Sequence, residues 1–361
     1  MKITSFDIYE YALVLKQPLY IRGKTHASSR QGFIIHLKSE SHEGLGETAP
    51  LPGISRESLE DAKKQLISLK SSFLNQPLPE HLEKLNGKFR DWLGTELKPS
   101  VQFGFETAIL NLIASSKNLP LHRLLTHSFH DHIRVHGLLQ GSKSEILEQA
   151  KKLIDQGFHE LKLKVGSNLQ EDIEKVQALN ALTADAALLH LDANQAWNLN
   201  DAVTFGHEVG LAAVDYIEEP FKNIEHIPDF FNKTTIPVAL DESLLKVGLK
   251  DIRALDGVDI LILKPTLLGG IEKAYALMEE TKRLGIVCLI SSSYESGIGI
   301  LALANLAGCT TRDRSAGLDT LKFFKEDILK EPFKIEHGKM DISQRHLAMK
   351  DIRLDMLQKI T

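Results

Sequence analysis

The sequence predicts an α/β fold: a closed parallel (β/α) barrel, of the modified TIM type, with an α+β capping domain at the N-terminal end. Three observations predict it. From about Ile133 onward, short apolar segments alternate with amphipathic helical segments at intervals of roughly 25 residues, which suits a (β/α) unit with short loops. The first 100 residues lack that rhythm and read as a separate α+β unit. A length of 361 residues exceeds one simple domain and accommodates a barrel of roughly 200–250 residues plus a smaller partner.

Taken in order, "KITSFDIYEYALVL" and "QGFIIHLKSE" read as strands of an antiparallel sheet. "GLGETAPLPG" carries too many breakers for a regular element and reads as a loop. "SRESLEDAKKQLISLKSSFL" reads as a helix with Ser55 as its N-cap. The barrel is expected over residues 101–320, the cap over 1–100. Seven strand candidates follow: "IRVHGLL", "HELKLKV", "ALLHLDA", "VDYIEE", "IPVALDE", "VDILILK" and "IVCLISS", with an eighth expected near "DRSAGLDT". Between them, Ser142 and Glu145 form a capping box and Gly157 a stop, and Asn168 and Glu171 repeat the spacing. The tail, residues 321–361, loses the rhythm and is expected to pack back on the cap.

Composition narrows the functional class. The chain is 43% hydrophobic and 25% charged, with net charge −5 and no basic run, so nucleic acid and anionic membrane are poor partners. The first residues show no secretory signal, and no window reaches a membrane span. Two cysteines, Cys288 and Cys309, in apolar surroundings fit reduced core thiols. A cytoplasmic enzyme acting on a small molecule is the expectation, with oligomeric state unassigned.

In a (β/α) barrel, catalytic groups sit at the C-terminal strand ends. Here strand two ends in Lys162 and Lys164, strand three in Asp192, strand four in Glu218 and Glu219, strand five in Asp241 and Glu242, and strand six in Lys264. Residues two apart on a strand share a face, so Lys162 and Lys164 point together while Leu161, Leu163 and Val165 point the other way. Apolar residues belong outside, against the helices, which leaves the lysines inside. Carboxylates from neighbouring strands repel in a low-dielectric cavity unless a cation neutralises them, and oxygen-only ligands suggest Mg²⁺ or Mn²⁺ over zinc. Beside such a charge and each other, the lysines are expected to have lowered pKa values, as a general base requires. Proton abstraction next to a carboxylate then becomes feasible. Parity alone leaves Glu218 and Glu219 as equal candidates.

This constellation resembles the enolase superfamily, specifically its muconate-lactonising subgroup, over nearly the whole chain. "GLGETAPLPGISRESL", "KPTLLGG", "SSSYESGIG" and "AGLDT" are similar to motifs of the o-succinylbenzoate synthase family within it. The resemblance implies Asp192, Glu218 and Asp241 as metal ligands, Glu218 being the first acid of the family's E-x-P motif. It implies Lys164 as the base, which then protonates the departing hydroxyl, with Lys162 and Lys264 stabilising an enediolate. Gly317 and the backbone near Ser291 and Ser292, with Asn194, are implied as substrate contacts. The implied reaction is loss of water from a succinylated hydroxycyclohexadiene carboxylate, giving an aromatic acid for menaquinone synthesis.

A dipeptide epimerase or N-succinylamino acid racemase would use the same lysines in alternation. Epimerases typically carry D-x-D at the eighth strand, where this chain reads Gly317-Leu318-Asp319. A Schiff-base aldolase using Lys264 leaves the carboxylates unexplained. A non-catalytic barrel would be expected to have lost part of the constellation. His127, His130 and His132 read as a solvated loop without metal spacing, and His190 as a core or supporting histidine.

Overall fold

A computed structural model describes residues 1–21, 24–184, 186–310, 314–343 and 346–361. Strands β1 (Ser5–Ile21), β2 (Lys24–Ser39) and β3 (His42–Thr48) form an antiparallel meander. Its strands alternate two buried sets. Phe6, Ile8, Phe33 and Ile35 join the core of the helices α1 (Leu59–Phe73), α2 (Lys88–Leu93) and α3 (Pro99–Lys117). Tyr11, Leu13 and Ile34 join a second cluster with Ile298, Phe324, Ile328 and Leu329.

Two expectations about this region are corrected. "GLGET" is strand, not loop: Gly44 and Gly46 lie within β3, against the backbone of α3. A Cβ on Gly44 would stand 2.2 Å from Ala108 O, and one on Gly46 2.0 Å from Gly104 O. These glycines therefore permit close approach of helix and strand instead of breaking the strand. The N-cap of α1 is Ser58, not Ser55. Ser58 has an acid three residues on, and the pair exchange bonds: Asp61 N–H donates to Ser58 Oγ (3.1 Å), Ser58 N–H to Asp61 Oδ2 (3.1 Å). Ser55 Oγ accepts from Leu51 N–H at 2.8 Å instead, inside the preceding turn.

After α4 (Leu121–Leu125), the expected first barrel strand divides. β4 (His132–Arg134) pairs antiparallel outside the barrel, and β5 (Gly137–Leu139) opens the parallel sheet. The (β/α) alternation then runs α5 (Lys143–Asp155), β6 (Glu160–Lys164), α6 (Leu169–Thr183), β7 (Leu188–Asp192) and α7 (Leu199–Val209). It continues through β8 (Tyr216–Glu218), α8 (Ile227–Thr234), β9 (Val238–Leu240), α9 (Leu249–Ile252) and β10 (Val258–Leu263). α10 (Pro265–Leu268), α11 (Ile271–Lys282), β11 (Val287–Ile290) and α12 (Gly297–Ala307) complete it. Ser142 and Glu145 cap α5 reciprocally, and Asn168 caps α6.

The seven parallel strands run β5 to β11 in sequence order. The eighth position is a short bridging segment: Ala316 pairs with Val135 and Gly317 with Ser291, both parallel. Ala316 N–H donates to Arg134 O (2.8 Å) and Gly317 N–H to Ile290 O (2.8 Å), so this segment closes the barrel. Leu161, Leu163 and Val165 are buried in the shell between strands and helices. Tyr216, Ala239, Ile260, Ile262 and Leu289 fill the interior below the site.

In the tail, β12 (Ile335–Glu336) pairs with β13 (Lys339–Asp341), β13 pairs with β4, and β14 (Leu357–Lys359) adds to the free edge of β1. Among the described residues, no helix is long and apolar enough to cross a membrane.

Candidate active site

The charged residues gather where the sequence put them, at the C-terminal ends of β6 to β10. Register makes this unavoidable: Lys164, Asp192 and Glu218 are successive cross-strand partners, so their side chains emerge side by side on the inner face. Lys162 is two residues below Lys164 and shares its face. Asp192, Glu218 and Asp241 are 5%, 2% and 7% exposed.

Lys162 Nζ lies 2.6 Å from Glu218 Oε2 and 3.0 Å from Asp192 Oδ2. Lys264 donates to Asp241 Oδ2. Lys164 reaches the exposed mouth, where its Nζ donates to Asn194 Oδ1 at 3.4 Å. Asn194 in turn donates its side-chain amide and, at 3.2 Å, its backbone N–H to Asp192 Oδ1. It therefore links Lys164 to Asp192.

The electrostatics follow from burial and pairing. Burial pushes Glu218 up to about 8, with Asp192 adding to the rise and Lys162 opposing it. Burial also raises Asp192, but Lys162 and then Lys164 outweigh it and its carboxyl is held below the ordinary range. Burial lowers Lys162, yet Asp192 and Glu218 overcome it and hold the ammonium well above its usual range. Burial likewise lowers Lys264, and Asp241 more than reverses it. Without a metal, then, these two lysines are held up, the reverse of the depression expected beside a dication. Each ammonium is paired directly with carboxylates, whereas the expectation put a divalent charge beside it.

Among the described residues, no group of three or more His, Cys, Asp and Glu side chains is arranged to hold a metal as it stands. The donor set nevertheless fits a hard dication. Asp192, Glu218 and Asp241 present oxygen only, from three adjacent strands, at buried positions. Glu218 remains short of compensating positive charge even with Lys162 bonded to it.

Opposite these groups, Ser291 and Gly317 face each other across the closing bridge. A Cβ on Gly317 would stand 2.5 Å from Ser291 Oγ and 3.2 Å from His136 Cε1. Ser292 N–H donates to Gly317 O (3.0 Å), while its hydroxyl is buried against Thr320 Oγ1 (2.8 Å). Both the N–H and the hydroxyl of Ser292 are thus engaged within the barrel. Asp319 is taken by an ion pair with Lys322.

The cap closes one side. Leu51 and Ile54 line a pocket of about 40 Å³ together with Asp241, Glu242, Ile262, Lys264, Leu267 and Leu268. Arg56 donates to Leu245 O (3.0 Å), tying the cap loop to the turn after β9. Deeper in the seam, Glu47 accepts from Ser296 N–H (2.9 Å), Ser296 Oγ (2.5 Å) and Gly299 N–H (2.8 Å) at the start of α12. Arg30 donates to Pro50 O (2.6 Å) and Ser293 O (3.3 Å).

Some residues escape sequence reasoning. Tyr294 has a left-handed backbone (φ 62°), packs on Phe323, and has the pKa of its hydroxyl raised by burial, with Lys264 and then Lys162 opposing. An aromatic residue inside a serine-rich strand end was its only signal. Glu242 is pushed to about 7 by burial and then by Asp241, with Lys264 opposing. His190 lies beneath the site, its Nε2 3.1 Å from Glu160 Oε2 and 3.2 Å from Asp215 Oδ2, its ring stacked on Tyr216. His127 is exposed in the loop, but His130 is half-buried with its backbone N–H on Gly308 O (2.9 Å) and His132 opens β4, so the expected solvated loop is corrected for these two.

Comparison with known proteins places this architecture. The family described as "Enolase C-terminal domain-like" matches residues 145–346, and "MenC, N-terminal domain" matches residues 3–112. The o-succinylbenzoate synthase of Aliivibrio fischeri is 33% identical over 327 residues, covering 89% of this chain and 91% of that protein. The chain belongs to the o-succinylbenzoate synthase family of the enolase superfamily. As a member of that family it is a lyase. Two solved structures share the fold. The N-succinyl Arg/Lys racemase from Bacillus cereus has TM-score 0.84 at 22% identity, covering 100% of both chains. A dipeptide epimerase from Enterococcus faecalis, complexed with Mg and the dipeptide L-Leu-L-Tyr, has TM-score 0.81 at 23% identity, covering 94% of this chain and 97% of that one.

Proposed function

We propose that this lyase is an o-succinylbenzoate synthase, catalysing Mg²⁺-dependent syn-dehydration of 2-succinyl-6-hydroxy-2,4-cyclohexadiene-1-carboxylate to o-succinylbenzoate in menaquinone biosynthesis. The observation that carries this reading is the row of three buried carboxylates flanked by Lys162, Lys164 and Lys264. In it, Asp192, Glu218 and Asp241 hold the metal. A hard dication there supplies Lewis-acid stabilisation for charge developing on a substrate carboxylate.

Lys164, the one of the three lysines at the open mouth, takes the proton from the carbon bearing the carboxylate. The electron pair enters the carboxylate as an enediolate. Lys164 then returns the proton to the leaving hydroxyl on the same face, so that water departs and the amine is regenerated. Lys162 and Lys264 remain ammonium, as their ion pairs favour, and stabilise the enediolate from two sides. Ser291, Ser292 and Gly317 form the far wall that receives the succinyl carboxylate, where the absence of a Cβ on Gly317 lets the Ser291 hydroxyl sit against it. Asn194 holds Lys164 toward the cavity and contacts substrate. Residues 1–100 and 321–361 form the cap and 101–320 the barrel in this reading, with α3 at the seam between them.

The second reading, N-succinylamino acid racemase or dipeptide epimerase, is favoured by the placement of Lys164 on β6 and Lys264 beyond β10. Against a dipeptide ammonium group stand Gly317 and the engagement of Asp319 by Lys322. The ion pair of Lys264 with Asp241 favours the ammonium and weighs against a Schiff-base nucleophile. Assaying purified protein with the cyclohexadiene substrate, N-succinyl amino acids and a dipeptide panel tests the proposal. Dehydration should dominate; strong epimerisation without dehydration would reject it.

A further inference from the structure

Glu219 has no part in the chemistry above, yet it is 1% exposed and sits among the proposed ligands. Its carboxylate accepts four hydrogen bonds. Oε1 takes the backbone N–H of Asp241 (2.7 Å) and of Ser243 (2.8 Å). Oε2 takes Ser243 Oγ (2.7 Å) and Gln195 Nε2 (2.7 Å). Its backbone is engaged as well: Gln195 N–H donates to Glu219 O (2.6 Å), and Glu219 N–H donates to Ala239 O (2.9 Å).

These bonds reach the two turns that follow Asp192 and precede Ser243, while Glu218 is the adjoining residue. The turns are conformationally expensive. Asn194, Gln195 and Glu219 all have left-handed backbones, with φ of 44°, 62° and 46°. Non-glycine residues hold such strained angles only where surrounding bonds over-determine them. Charge-assisted bonds to a buried carboxylate are strong enough to do so. A carboxylate has roughly four lone-pair sites, and Glu219 uses four. It has none left for a metal.

We propose that Glu219 is a positioning residue, which sets the spacing of Asp192, Glu218 and Asp241 by bonding the turns behind them, and is not a ligand. This rests on the reading that those three carboxylates hold a dication. It also gives the paired acids of "YIEEP" separate tasks: the first faces the cavity, the second fastens its rim.

The test compares Glu219→Gln, Glu219→Ala, Ser243→Ala and Glu218→Gln by Mg²⁺ titration calorimetry and by hydrogen exchange of residues 239–246 in EDTA. A glutamine keeps both backbone bonds through Oε1 and donates to Ser243 Oγ through Nε2, and Gln195 can turn its own amide to match. Glu219→Gln should therefore bind Mg²⁺ within about threefold of wild type, and Glu219→Ala about 10- to 100-fold more weakly. Ser243→Ala, which loses one bond, should fall between them. Glu219→Ala binding like wild type, or Glu219→Gln failing as badly as Glu218→Gln, overturns the proposal. If wild type itself takes up no Mg²⁺, the dication reading fails, and exchange decides the positioning role. Glu219→Ala should speed exchange of Asp241 and Ser243 amides about tenfold and Glu219→Gln should not; unchanged exchange in the alanine variant contradicts it.

Discussion

Lys162 stands 2.6 Å from Glu218 across the barrel interior, and the same ammonium lies 3.0 Å from Asp192. One cation thus serves two buried carboxylates that would otherwise face each other unscreened. Lys162→Ala should destabilise the metal-free protein by about 3–5 kcal/mol, the usual consequence of leaving a buried charge unpaired. Millimolar Mg²⁺ should restore much of that loss. Thermal melts in EDTA and in Mg²⁺ check both statements; equal losses in the two buffers would contradict them.

Asp241 bears on metal affinity from the next strand. Asp241→Asn removes the negative charge from the set while its amide oxygen can still accept from Lys264. Calorimetry should show Mg²⁺ binding weakened by about 10-fold or more while the apo fold is retained.

Gly317 governs space, not charge. Gly317→Ala would set a methyl group 2.5 Å from Ser291 Oγ, forcing that side chain out of its place in the proposed succinyl site. We expect KM for the cyclohexadiene substrate to rise about 10-fold or more with Mg²⁺ affinity unchanged, a separation that steady-state kinetics and calorimetry resolve.

A pH effect arises far from the metal site. Glu106 on α3 accepts from Glu272 N–H (2.9 Å) and from Gln102, and burial pushes it from 4.5 to about 8. A raised acid binds its proton more tightly folded than unfolded, so its contribution is fully present below about 4.5 and is lost as pH rises through about 8. The wild-type denaturation midpoint should therefore fall across that window relative to Glu106→Gln. Parallel pH profiles for the two proteins would refute it.

Much of this was legible in the sequence because period and parity are local. The 2-residue alternation of "HELKLKV" put Lys162 and Lys164 inside and Leu161, Leu163 and Val165 outside, and the structure places them so. What stayed hidden depends on distant partners. Gly44 and Gly46 look like loop residues until α3 is seen against them. Ser55 and Ser58 both precede a helix, and only the reciprocal bond with Asp61 selects Ser58. The ion pairs that hold Lys162 and Lys264 up in the metal-free protein cross between strands and cannot be read from a single segment. Tyr294 takes a left-handed backbone angle that no composition rule anticipates.

The central claim is that Lys164 is the base on which dehydration turns. Lys164→Ala should be assayed for dehydration in saturating Mg²⁺, with metal binding measured on the same sample. A loss of about 100- to 10,000-fold in turnover with Mg²⁺ still bound is the result this account predicts. Near-native turnover by that variant would contradict it.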